Sequence, residues 1–226
     1  MKDDLEFLKA NRIFSGLFAQ DIDSLFNLLT LGSTKRNEYV FQIGDPPDFV
    51  YWVKTGRAKI IKLTEDGREM IYGICNPGDI FGEMAFVENT PRDTTVVAEE
   101  DMAWFAIKRN HLFALAKSKP GIIYRFAQLI GERRREAEEM TEVLLYRGVR
   151  ERLVSMLLRL SKEYGIQDAR GKLLRIKITH QDLASMIGSS RETVSLTMGD
   201  LKREGVIEVN ERKIIIKNEE QLAPRS

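Results

Sequence analysis

Arg191 and Glu192 stand side by side in the run ITHQDLASMIGSSRETVSLTMGDLKREGVIEV, and their types suit the reading of base edges. An arginine fork donates two hydrogen bonds to guanine O6 and N7, and a carboxylate accepts from a cytosine amino group. At helical period Arg191, Glu192, Ser195, Leu196 and Gly199 share one face, while Val194, Met198 and Leu201 share the other and should pack inward. Leu196 on a wet face is unexpected for a core residue, and contact with a thymine methyl explains it. His180, Thr193, Lys202 and Arg203 suit phosphate contacts, which position a protein without reading sequence, and Ser190 stands beside them at the helix start. Glu192 has a second role open to it, as the last residue of a capping box Ser189-Ser190-Arg191-Glu192.

Other chemistries find little here. Cys75 is the single cysteine, which excludes an intramolecular disulfide and a cluster held by several cysteines of this chain. The two histidines, His111 and His180, lie far apart in sequence, so no His/Cys metal site is expected. In the apolar run IYGIC, Cys75 reads as a small core hydrophobe rather than a redox centre. With no nucleophile–base arrangement, no metal ligands and no P-loop, an enzyme is not expected.

The elements that must hold the DNA-reading face are legible around it. Thr179 is a good N-cap with Asp182 three residues on, so a first helix runs from about His180 to Ile187 and stops at Gly188. A second helix begins at Ser189, and two helices joined by a short turn containing Gly form a helix-turn-helix. VIEV, the polar turn Asn210-Glu211-Arg212 and KIIIK then predict a β-hairpin wing, while LRIKI, after the linker IQDARGKLL, predicts a strand before the first helix. From Pro120 to about Glu163 the helical period persists too long for one ordinary helix, with Gly148 as a hinge. Within it Phe126, Ile130, Arg133, Ala137, Met140 and Leu144 alternate steps of four and three, the period of a coiled-coil seam between two copies. Packing of the same stripe on its own domain explains the apolar positions equally well. Upstream, apolar residues from Asp4 to Leu31 recur at helical spacing, predicting short helices that pack on something else. Between Ser33 and Ile107 the β-prone runs FVYWVKTG, AKIIKL, EMIYGI, TTVVA and MAWFAI alternate with GDPPD, EDGRE, NPGD and ENTPRD, the texture of a β-roll or barrel.

Charge is unequal along the chain. Residues 1–116 carry 13 Lys/Arg against 18 Asp/Glu, and residues 117–226 carry 22 against 16, so the second part is the one suited to a polyanion. No run approaches the ~20 apolar residues of a membrane span, and MKDDLEFLK lacks the basic and apolar regions of a secretory signal, so a cytoplasmic protein with no membrane partner is expected.

Two segments carry a resemblance to the Crp/Fnr family of bacterial regulators, and it spans nearly the whole chain. FGEMAFVENTPRDTTVVA, residues 81–98, resembles the phosphate-binding cassette of cyclic-nucleotide-binding domains without a gap, and ITHQDLASMIGSSRETV resembles the family's DNA-binding segment. The resemblance implies an α+β fold: an N-terminal β-roll, or double-stranded β-helix, of the cyclic-nucleotide-binding type with flanking helices (1–116), a long dimerisation helix (117–147) and a C-terminal winged helix-turn-helix (148–226). It implies a homodimeric, sequence-specific regulator bound to a near-palindromic operator in double-stranded DNA, with RNA polymerase as a further partner. A signalling adaptor built on the same β-roll would lack the helix-turn-helix.

By the same resemblance Gly82, Glu83 and Met84 fall where backbone amides and a carboxylate hold the cyclic phosphate and the ribose 2′-hydroxyl, with Arg92 at the phosphate and Thr94 close by. Gly allows close backbone approach, and Arg offers a permanently charged fork. Asp93 stands where a small neutral or hydroxyl residue is usual, and should repel a ligand or occupy Arg92. Ala137-Glu138 stands where cyclic-AMP-dependent members carry a Thr-Ser pair that touches adenine. The effector is thus expected to be a cyclic nucleotide, another small anionic molecule, or none, in which case Glu83 and Arg92 pair internally and the regulator is constitutive. Haem and iron–sulfur sensing lack matching ligands.

Overall fold

A computed structural model describes residues 2–65, 67–210 and 213–222, and divides into two compact units, Met1–Arg133 and Arg134–Ser226. The first unit opens with α1 (Lys2–Ala10) and α2 (Ala19–Phe26). Strands β1 (Leu29–Thr34), β2 (Tyr39–Phe41), β3 (Phe49–Thr55), β4 (Ala58–Leu63), β5 (Glu69–Cys75) and β6 (Ile80–Phe81) follow. Next come the single turn α3 (Met84–Val87), β7 (Thr95–Ala98), β8 (Met102–Lys108) and α4 (Arg109–Ser118). The long helix α5 (Gly121–Tyr146) carries the chain from the first unit into the second.

The strands form two four-stranded antiparallel sheets, ordered β1-β8-β3-β6 and β2-β7-β4-β5, which is the expected β-roll. Strand β3 shows why its sequence reads as continuous apolar residues rather than alternating ones. Val50 and Trp52 belong to a core with α1, α2, α4 and α5, while Tyr51 and Val53 belong to a second core with Phe41, Phe81, Val96 and Ala106. The amino-terminal helices therefore do pack on something else: the outer face of one sheet. The helical reading ran too far, because Leu29 and Leu31 pair with Ile107 and Phe105 in β1, not in a helix.

Phe126 is a correction to the seam. Its ring is 1% exposed and lies 4.6 Å from Phe86, centroid to centroid, inside the first unit's core. Arg133 is also turned into its own unit, as described below. Of the other seam residues, Ala137 is exposed and Ile130, Met140 and Leu144 are half-buried, and Ile123, Tyr124 and Ala127 of α5 are exposed as well.

In the second unit α6 (Val149–Tyr164) is capped by Gly148, whose amide donates to Glu151 Oε2 at 2.9 Å, so the expected break falls where glycine predicts it. The hairpin β9 (Gly165–Asp168) and β10 (Gly171–Leu174), the helices α7 (His180–Ile187) and α8 (Arg191–Arg203), the hairpin β11 (Ile207–Asn210) and β12 (Lys213–Ile216), and the short α9 (Glu219–Leu222) complete it. The sheet order β11-β12-β10-β9 joins the wing to the segment read as a linker. The strand expected at LRIKI is displaced: pairing runs through Lys172 and Leu173 to Ile216 and Ile215, and residues 175–178 fall outside the strand ladder. Glu211 and Arg212 of the expected wing turn lie outside the described residues.

Candidate functional site: an anion cavity and a nucleic-acid interface

In the first unit the β6–α3–β7 region encloses a cavity of about 150 Å³ whose walls include Gly82, Glu83, Met84, Arg92, Asp93 and Thr94. Gly82 has a positive φ of 66°, and a Cβ there would lie 2.8 Å from Arg92 Nη1, so only glycine lets the backbone come this close to the guanidinium. Arg92 is 7% exposed. It donates to the carbonyls of Gly82 (2.9 Å) and Phe49 (2.5 Å) and lies over the Phe41 ring at 4.2 Å. Burial pushes its pKa down, and Tyr51, Glu83, Asp45 and Asp48 push back. Its Nε is buried with no partner among the described residues.

Two expectations change here. Asp93 is exposed and forms no ion pair with Arg92, whose bonds go to main-chain carbonyls instead. Glu83, 5% exposed, is paired by Arg133, not Arg92. Arg133 comes from α5 and also donates to the Ile80 carbonyl at 2.5 Å. Burial opposes its charge, but the Glu83 carboxylate holds its pKa above the ordinary arginine value. An arginine on a supposed apolar seam was the signal for this: a cation at a coiled-coil core position is a misfit unless a carboxylate awaits it. Farther along α5, Glu138 pairs with Arg134 one turn away at 2.8 Å.

Nearby, Cys75 is fully buried, and desolvation pushes its thiol up to about 12. That agrees with a packing role.

The second unit presents the helix-turn-helix as expected. Thr179 caps α7 reciprocally with Asp182, and Gly188, at φ 60°, ends the helix in the left-handed conformation that glycine adopts without strain. The buried faces are Leu183, Ala184 and Ile187 on α7 and Val194, Met198 and Leu201 on α8. Arg152 of α6 donates to the Ile187 carbonyl at 2.9 Å, a cation set at the negative end of α7. Helix α8 starts later than the capping box implied. Ser190, not Ser189, is its N-cap, accepting from the Thr193 amide at 3.1 Å. Glu192 stays beside this cap: its own amide and the Ser190 hydroxyl hold its carboxyl below the usual range.

Arg191, Glu192 and Leu196 are exposed on α8, Leu196 at 72%. Arg191 has no ion-pair partner among the described residues. It lines a groove of about 500 Å³ with Ile178, Thr179, His180 and Gln181 at the start of α7 and Val209 and Ile214 of the wing. Sequence reasoning missed Gln181 and the apolar wing residues, which only the folded hairpin brings here. Lys202 and Arg203 are exposed near the end of α8, and Arg203 pairs with Asp200. Ser195 and His180, placed apart by the sequence reading, meet: His180 Nδ1 lies 2.8 Å from Ser195 Oγ.

Residues 32–119 match the cyclic nucleotide-binding domain family, and residues 151–225 match the Crp-like helix-turn-helix domain family. The "Anaerobic regulatory protein" of Bacillus subtilis is 32% identical over 96% of this chain and 93% of its own. The "CRP-like cAMP-activated global transcriptional regulator" of Mycobacterium tuberculosis is 27% identical over 98% and 99%. A crystal structure of a CRP/FNR-family transcriptional regulator from Thermus thermophilus, 28% identical, superposes with a TM-score of 0.69 over 85% of this chain and 96% of that one.

Proposed function

This chain belongs to the Crp/Fnr family of transcription regulators, and from that premise we propose that it acts as a cytoplasmic homodimer that reads a near-palindromic operator through α8. It is a DNA-binding regulator. The observation that carries the operator reading is Arg191, exposed and without an ion-pair partner among the described residues, at the start of a helix whose opposite face is buried. Arg191 and Glu192 read base edges, with Leu196 against a thymine methyl and Ser195 beside them. Ser190, Thr193, His180, Lys202 and Arg203 position the helix on phosphates. Residues 1–116 are the sensor domain, 117–147 the dimerisation helix and 148–226 the DNA-binding domain. The role is binding, with RNA polymerase as the further partner the family leads us to expect, and no catalysed reaction.

The seam is re-registered by the burial of Phe126 and the pairing of Arg133 with Glu83. Ile130, Ala137 and Leu144 remain on it, seven residues apart, and Ile123 extends the same row.

The effector reading rests on Arg92. A buried guanidinium with an unpartnered Nε beside a close glycine backbone suits an anionic group, such as the phosphate of a cyclic nucleotide or another small anion. Yet the cavity, at about 150 Å³, is half the lower end of the roughly 300–1,000 Å³ that drug-sized ligands occupy. Any such effector requires the cavity to open and part of the Arg92–carbonyl bonding to give way. Operator binding is therefore measurable with no ligand added. A gel shift against random-sequence duplexes, with and without titrated cyclic AMP, tests both readings. Selection of no sequence overturns the operator reading; binding strictly dependent on submicromolar cyclic AMP overturns the reading of a closed cavity with ligand-free operator binding.

A further inference from the structure

The contact between His180 and Ser195 does more than join two helices. His180 is the first residue of α7, Ser195 lies one turn into α8 next to Leu196, and the two side chains meet at 2.8 Å. A serine hydroxyl has one proton and two lone pairs, so what it offers to a third group depends on what it does with its first partner. When Nδ1 of a neutral imidazole accepts, the serine proton is spent and only lone pairs remain for a base. When Nδ1 carries a proton and donates, the serine proton is free. We propose that His180 is a positioning residue for DNA reading: its Nδ1 sets the hydrogen-bond polarity of Ser195, and so selects whether Ser195 favours a base that donates or one that accepts.

The inference rests on α8 being the reading helix. In the major groove the amino groups of adenine and cytosine are donors, and guanine O6 and thymine O4 are acceptors. Ser195 as pure acceptor therefore favours A or C, and Ser195 as donor favours G or T. A phosphate at Nε2 would keep that nitrogen protonated, leaving Nδ1 as the position where protonation changes. A proton gained at Nδ1 reverses the direction of its bond to Ser195, and so frees the serine proton for a base. Among the described residues, the charged groups around it are few. Arg191 of α8 lines the same groove, Asp182 on α7 is engaged by Thr179, and the wing contributes the apolar Val209 and Ile214.

The test is a set of operator duplexes differing only at the base pair opposite Ser195, found first by scanning. Affinities are measured at pH 6 and pH 8 for the unaltered protein, Ser195→Ala and His180→Gln. In the unaltered protein the ratio of amino-bearing to carbonyl-bearing bases falls by about three- to tenfold on going to pH 6, the worth of one hydrogen bond. That change is absent from both variants. His180 and His111 are the only histidines, so long-range proton–nitrogen correlation spectra report the His180 ring directly, with His180→Gln giving the assignment. Nδ1 of His180 should change its environment in Ser195→Ala. A pH effect equal on all the duplexes makes His180 a plain phosphate contact and overturns the proposal, as does a preference shift that survives Ser195→Ala. Failure to prefer any sequence at either pH sinks the operator reading instead.

Discussion

Phe126→Ala separates a core residue from a seam residue. The ring is 1% exposed and sits 4.6 Å from Phe86, which in turn lies 4.7 Å from Phe113. Removing a buried phenylalanine costs about 3–5 kcal/mol, through lost transfer energy and the cavity left behind. Part of that is the aromatic contact itself, about 0.5–1.5 kcal/mol. At roughly 3–4 °C per kcal/mol for a unit of this size, the melting temperature should fall by about 9–20 °C. Thermal denaturation at two protein concentrations tenfold apart, with sedimentation in parallel, reads the difference. A core role predicts the same drop relative to the unaltered protein at both concentrations and an intact dimer at ambient temperature. A fall below about 3 °C, together with dissociation on dilution, would refute the burial argument and return Phe126 to the seam.

Arg191→Ala should cost about 1–3 kcal/mol against the preferred operator while barely changing binding to random DNA, measured by competition gel shift. Ile123→Glu with Leu144→Glu should place like charges along the row shared by two copies and give monomers in sedimentation, with two-site binding lost. Arg133→Leu leaves the Glu83 carboxylate buried and unpaired, a loss of about 3 kcal/mol or more at neutral pH. The urea midpoint at pH 7.5 should fall accordingly, and Arg133→Lys, which keeps a cation beside Glu83, should fall less. With its thiol pushed up to about 12, Cys75 should resist alkylation at pH 7, where roughly one molecule in 10⁵ carries a thiolate, and react only once urea unfolds the chain.

The elements that repeat a local pattern could be read directly. Strands β3, β4, β5, β7 and β8 and the helix α7 stand where apolar period and capping residues placed them, and α8 lies one residue later. Strand β1 escaped because LTLGST carries glycine and hydroxyl residues after a helical run, and two-residue β6 is too short for any period to show. The seam was misread by a template that counts positions but not chemistry: Phe126 and Arg133 fit the spacing of four and three, but their own unit claims both. Asp93 was misread because adjacency in sequence was taken for adjacency in space; Arg92 turns inward while Asp93 faces out. The start of α8 was uncertain by one residue because two consecutive serines each make a plausible cap, and only the Thr193 amide chooses between them.

Strand β3 carries Val50 and Trp52 into one core and Tyr51 and Val53 into another, so each core depends on the same seven residues of backbone. The helical layer and the interior of the roll consequently cannot melt in separate steps. Loss of either one strips the packing from one face of the strand that pairs with β8 and β6. Amide protons along β3 should then exchange only through global opening of the unit, and a substitution on either face of the strand should lower the protection of both layers together.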